Sequence, residues 1–265
     1  MNHEVDLSIR QMAESWRLMC SGALDHIHET HNGIEYIFSG LPVAFFNLVL
    51  PTEQGISAEA LQAYANDACA WAADKGVPWT FITTQEALGA GVDAIAILDD
   101  CGLTPLMPLT GMYAEQVAPL STMPEGLELI VPQDDANCAA ILDVNSVAYG
   151  MDLEAGKALM GMPSFWQGQF PVVGLVDGKP VSTASVLMAD GYRYVALVAT
   201  DPDYRRRGYA DAAMRCSLEN AARVHGEKPT VLHASDAGRP VYDRMGYQPI
   251  STHMIFMEKR FLAGH

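Results

Sequence analysis

Positive charge is scarce in this chain. Lys and Arg together number 16 against 32 Asp and Glu, a formal net charge of -16. That deficit argues against nonspecific binding to nucleic acid or to an anionic membrane surface, so neither is expected as a partner. Cysteine chemistry is equally thin. The five cysteines (Cys20, Cys69, Cys101, Cys138 and Cys216) are scattered, odd in number and form no CxxC pair. This spacing speaks against a zinc site and a disulfide framework, so no metal is expected and reduced thiols in a cytoplasmic protein are. No apolar run approaches the roughly 18 residues of a membrane span. The opening "MNHEVDLSIRQMAESW" has neither the basic nor the apolar region of a secretory signal. What is present is 265 residues, 49% of them hydrophobic. That length can bury one large core or two smaller ones.

The second half of the chain has the clearer pattern. "LELIV" (127–131) reads as a strand, and 134–150 as a helix capped at Asp134 or Asp135. "PVVGLV" and "PVSTASVLM" flank Asp177-Gly178, a hairpin signal, and Asp190-Gly191 leads into the strand "YRYVALVAT". A helix over 208–224 follows, with Gly226 as its C-cap and Pro229 as a stop. Then come the strand "TVLHAS", a short helix in "GRPVYDRMGY", and the closing strand "STHMIFME". Hairpins followed by strand–helix–strand units predict a mixed α/β (α+β) fold, with a mostly antiparallel central sheet flanked by helices.

A weaker echo precedes it. "FFNLVLP" leads to a helix from about Ser57 to Lys75, then "WTFIT", a helix ending at "LDDCGLTPL", and "GMYAEQ". Gly76-x-Pro78 stands where Gly226-x-x-Pro229 does, and Gly102-x-x-Pro105 where Gly246-x-x-Pro249 does. The shared order predicts a degenerate tandem repeat over 1–120 and 126–265, divided near "QVAPLSTMPEGLEL" (116–129).

The chemistry concentrates in "VATDPDYRRRGYADAAMR" (198–215). A strand that turns tightly into a helix points unpaired backbone N–H groups outward at the helix start. With the helix dipole, these make a site for phosphate. Gly208 permits close approach and Ala210 keeps the turn open. Arg205, Arg206 and Arg207 add guanidinium groups suited to bidentate phosphate contacts. There is no Gly-Lys-Ser/Thr ending and no GxGxxG, so neither of the two common nucleotide loops fits. A solvated turn whose arginines pair with nearby acids is the plainer alternative.

Arg205-x-x-Gly208-x-Ala210 after an apolar strand resembles the acyl-CoA signature of the GNAT acyltransferases, R/Q-x-x-G-x-G/A. The downstream "VLHASDAGRPVYDRMGY", with Tyr242 and then Gly246-Tyr247, is similar to the second part of that family's pattern. The resemblance spans about 127–258. It implies a GNAT fold, with acetyl-CoA as co-substrate and direct transfer of the acetyl group to a primary amine of a small molecule or peptide. By the resemblance, 205–210 with Tyr209 would hold the CoA pyrophosphate. Val198, Ala199 and Thr200 would pair with the pantetheine arm, and Ser235 would touch that arm or simply form a turn. Tyr242 would be the general acid, and a backbone N–H near Val198 would polarise the thioester. The family's strand glutamate is missing, which leaves the base open between His233, Asp201 and none at all. A non-catalytic acyl-CoA sensor is the alternative function. The N-terminal repeat has "TEQGISAEAL" in place of the arginines and is expected not to bind CoA. Oligomeric state, monomer or homodimer, stays open.

Overall fold

The structure is a computed structural model that describes residues 2–120, 122–132, 135–149 and 152–262. The expected cap at Asp134 and the helix end at Gly150 lie outside the described residues. In chain order the elements are α1 (His3–Cys20), β1 (Ile27–His31), β2 (Ile34–Phe38), β3 (Asn47–Pro51), α2 (Ala58–Ala72), β4 (Thr80–Thr84), α3 (Ala94–Asp100) and β5 (Leu103–Ala114). They continue with β6 (Leu127–Ile130), α4 (Asp135–Tyr149), α5 (Leu153–Met160), β7 (Val172–Val176), β8 (Lys179–Ala189), β9 (Tyr192–Thr200), α6 (Tyr209–His225), β10 (Thr230–Ala234), α7 (Arg239–Met245) and β11 (Gln248–Glu258). Among the described residues no helix is long and apolar enough to cross a membrane.

The chain forms two compact units. The first comprises 1–112, 233–239 and 249–265, and the second 113–232 and 240–248. In the first, β1, β2 and β3 make an antiparallel meander, β3 pairs parallel with β4, and β11 runs antiparallel to β4. Leu61, Ala65, Ala68 and Ala72 form a stripe along α2 and are fully buried. Small side chains at this spacing let the helix lie close on Phe38, Phe81 and Phe256 of the strands. Ser57 caps the helix, its side chain accepting from the Ala60 N–H, and Glu59 sits in the first turn.

In the second unit β6, β7, β8 and β9 are successively antiparallel, and β9 pairs parallel with β10 across the α6 crossover. Asp177-Gly178 and Asp190-Gly191 make the two hairpin turns. All four residues have positive φ, as the type I′ turn demands. Gly226 ends α6 at φ 74, in the expected place. The succession β9–α6–β10 in this unit is matched by β3–α2–β4 in the other, each joining a parallel strand pair.

Several elements depart from the sequence reading. α1 is a full helix where only a polar leader segment is apparent in the sequence. β1 and β2 form a hairpin around Asn32-Gly33, both at positive φ. β5 runs from Leu103 through Pro105 and Pro108, residues that read as breaks.

Candidate functional site

The second unit carries the site, and its frame is a defect in β9. Between Thr183 and Ser185 the partner strand advances three residues, from Ala199 to Ala196, so one residue of β9 is extra. Leu197 absorbs the irregularity at φ 54, a left-handed conformation that costs a residue with a Cβ roughly 1–3 kcal/mol. Such a bulge breaks the ladder locally and frees backbone groups next to Val198. Val198 and Thr200 are half-buried and Ala199 is buried.

Beyond β9 the chain makes a one-turn helix (Pro202–Tyr204) and the turn 205–208. Arg206 sits at φ 64 and Gly208 at φ 81, and Gly208 is the N-cap of α6. No side chain caps that helix, so its first-turn N–H groups are left to backbone and ligand. All three arginines are exposed, and among the described residues none forms an ion pair with a carboxylate. Arg205 donates to the carbonyls of Thr200 at 3.3 Å and Ala148 at 3.4 Å. Arg207 donates to the Asp203 carbonyl at 3.2 Å and lies 5.2 Å from the Tyr204 ring. Arg206 has no hydrogen-bond or ion-pair partner among the described residues. In a chain with twice as many acids as bases, these three neighbouring cations have no ion-pair partner among the described residues, although the Arg205 charge helps to lower the Asp201 pKa. Tyr209 contributes only backbone here, because its ring is buried with Leu127, Val181 and Ala212.

Two phenols flank the strand. Tyr149, at the end of α4, leaves 60% of its surface exposed while its hydroxyl donates to the Val198 carbonyl. Burial around that hydroxyl pushes its pKa up, and the Arg205 charge pulls it partly back. Tyr242, on α7, is buried and packs edge-to-face on Tyr247 with ring centroids 6.1 Å apart. Burial pushes its pKa well up, with Tyr149 and then Tyr247 adding to the shift, so it stays protonated throughout the physiological range.

Other expected residues are placed in structural roles. Ser235 belongs to the first unit, where its Oγ and carbonyl both accept from Gly238, the turn chemistry foreseen as the alternative. Asp201 is held by Lys179 at 2.9 Å and accepts from the Asp203 N–H, and both contacts lower its pKa. His233 lies in a buried group of the first unit: Ser8 Oγ is 3.0 Å from His233 Nε2 and 3.0 Å from His253 Nε2. Burial and the second imidazole drive its pKa well down. Phe165 is buried and Trp166 donates to the Met160 carbonyl, so both are packed into the loop ahead of β7.

Two residues that the sequence did not single out support the bulge. Thr183 Oγ1 donates to the Leu197 carbonyl at 2.9 Å, and Asn145 Nδ2 donates to Thr183 Oγ1 at 3.0 Å. Their signal was available: Ser182, Thr183 and Ser185 are polar residues in a strand otherwise apolar, and all three are fully buried. Among the described residues no group of His, Cys, Asp and Glu is arranged to hold a metal.

Residues 162–261 match the family model described as an acetyltransferase (GNAT) domain. No curated protein matches the chain. Among solved structures, a GCN5-related N-acetyltransferase from Kribbella flavida superposes with a TM-score of 0.71 at 19% identity, covering 95% of each chain. A functionally unknown conserved protein from Staphylococcus epidermidis gives 0.64 at 13%, covering 89% of this chain and 95% of its own. A tandem GNAT protein from the clavulanic acid biosynthesis pathway gives 0.56 at 12%, covering 95% of this chain and 94% of its own. At these identities the likeness is one of fold, and it extends along nearly the whole chain. The fold is that of GNAT proteins, and the family match falls within residues 162–261.

Proposed function

We propose that this GNAT domain transfers the acetyl group of acetyl-CoA to a primary amine of a small molecule or peptide. The observation that carries the reading is the turn 205–208, three exposed arginines with no ion-pair partner among the described residues, at the uncapped start of a 17-residue helix. Pyrophosphate fits such a place on charge and on donor geometry. Arg205, Arg206, Arg207 and the backbone of Gly208, Tyr209 and Ala210 would hold it. The bulged strand Val198–Thr200 would receive the pantetheine arm. Tyr149 and Arg205 now occupy two of that strand's carbonyls, so cofactor entry would exchange these contacts.

The reaction is substitution at the thioester carbon. The amine nitrogen forms a bond to carbon, the carbon–sulfur bond breaks, the nitrogen loses a proton and the sulfur gains one. A backbone N–H at the bulge would stabilise the oxygen that becomes negative in between. Tyr242 is the candidate to pass the proton. A thiol ordinarily titrates near 8.5 and a phenol near 10. Burial lifts Tyr242 further, so complete transfer from phenol to thiolate runs uphill. The phenol therefore works by donating a hydrogen bond to the departing sulfur while the ammonium of the intermediate supplies the proton. No acid lies on β9, so the amine would have to arrive neutral or lose its proton to water.

The absent strand carboxylate, with Asp201 engaged by Lys179, favours a second reading, an acyl-CoA sensor without turnover. Thiol release from acetyl-CoA against an amine panel separates the two. Turnover that falls at least tenfold in Tyr242→Phe, about the worth of one hydrogen bond to the departing sulfur, supports the enzyme. CoA binding without turnover supports the sensor. In the first unit, the Ser57 cap and Glu59 close the corresponding helix start to anions, so CoA is expected at the second unit alone.

A further inference from the structure

Leu197 is held in an unfavourable conformation, and the structure shows by what. Its carbonyl accepts from Thr183 Oγ1 on the neighbouring strand. Thr183 is fully buried, and so is Asn145, whose Nδ2 serves both the Ile141 carbonyl at 2.8 Å and Thr183 Oγ1 at 3.0 Å. The polarity of this chain has one solution. A carbonyl can only accept, so the nitrogen end of the Asn145 amide must face Ile141 and Thr183. That nitrogen can only donate, so Thr183 accepts from it and spends its single proton on the Leu197 carbonyl. The other end, Asn145 Oδ1, is buried without a hydrogen-bond partner among the described residues. A leucine would fill the same volume without that orphan, so packing alone does not account for an asparagine here.

The consequence follows from peptide geometry. In a trans peptide the C=O and the following N–H point in opposite directions within one plane. Fixing the Leu197 carbonyl toward Thr183 therefore aims the Val198 N–H at the other side of β9. We propose that Thr183 and Asn145 are positioning residues for acyl transfer, holding the Leu197–Val198 peptide so that its N–H meets the thioester carbonyl oxygen. The inference rests on the acyl-transfer reading above and adds two residues to it.

Thr183→Val keeps the side chain's shape and removes the hydroxyl, while Thr183→Ser restores it. With acetyl-CoA and an accepted amine, Thr183→Val should lower kcat roughly tenfold to hundredfold, with the KM for acetyl-CoA within about twofold of wild type. Thr183→Ser should regain most of the loss. The infrared stretch of ¹³C=O-labelled acetyl-CoA reads polarisation without any acceptor. It should move to lower frequency on wild-type protein and stay near its free value on Thr183→Val. Unchanged kcat and an unchanged bound stretch in a folded Thr183→Val would overturn the proposal. So would equal losses in the Val and Ser variants, which would mark a packing role only. If wild-type protein fails to bind acetyl-CoA, it is the acyl-transfer reading that falls. The geometry is then decided on the free protein by the Val198 amide resonance, which should shift in Thr183→Val and return in Thr183→Ser. A resonance that does not move overturns it. If Thr183→Val does not fold, Asn145→Leu, which releases the Thr183 hydroxyl, takes its place under the same readouts.

Discussion

A single residue tests the anion reading most directly, and it is Arg206. Arg205 and Arg207 each donate to backbone carbonyls and so also stiffen the turn. Among the described residues Arg206 has no hydrogen-bond or ion-pair partner, so its charge can be changed with little structural consequence. Arg206→Glu should weaken CoA binding more than tenfold by calorimetry, a loss of about 1.4 kcal/mol or more, with the melting temperature unmoved. Unchanged affinity would remove the loop from the site. At this scale the sequence was legible where a residue's role is local. Arg205-x-x-Gly208-x-Ala210 and the two Asp-Gly turns depend on neighbours within a few positions. Asn145 and Thr183 stand 38 residues apart and become partners only once α4 is laid on β8.

Elements follow the same logic. α6 was readable because its stripe, its Gly208 start and its Gly226 end are all contiguous. α1 was not, because acidic and polar residues are interspersed through it and its buried face includes Ser8, Gln11 and Ser15. Ser8 is accommodated by His233, His253 and Ser251, a matter of tertiary contact rather than composition. β5 was shortened by its prolines, although its later residues make a demanding fit. A Cβ on Gly111 would stand 2.2 Å from both Ser8 Oγ and Ser251 Oγ. Ser251 donates to Ser8 at 2.6 Å, so neither hydroxyl can retreat without breaking that bond. Gly111→Ala should therefore destabilise the protein by about 1–3 kcal/mol in urea unfolding. An unchanged midpoint would show that the hydroxyls repack freely.

At the scale of the whole molecule, acid should be the weak flank. His253 is fully buried between Thr84 at 3.0 Å and Ser251 at 2.9 Å, and burial drives its pKa down to about 3. Unfolded, it would titrate near 6.5. Between those values the unfolded chain binds a proton that the folded chain refuses. Stability is therefore fully present above about 6.5 and falls by about 1.4 kcal/mol per pH unit below it. Unfolding free energies at pH 7 and 5 should show at least this slope, because His233 is driven down as well, and His253→Gln should reduce it without abolishing it. The arginine turn has a kinetic consequence at the same scale. On the proposed reading, a polyanionic ligand would approach a chain of net charge -16 against a general repulsion and be drawn in at the turn 205–208. The repulsion is spread over the body and acts at long range, so modest salt, with a Debye length of about 10 Å at 0.1 M, screens it first. The attraction at the turn acts at contact and yields only at higher ionic strength. Association rates for CoA should thus rise and then fall as salt is added, whereas an arginine turn on a neutral body would show only the fall.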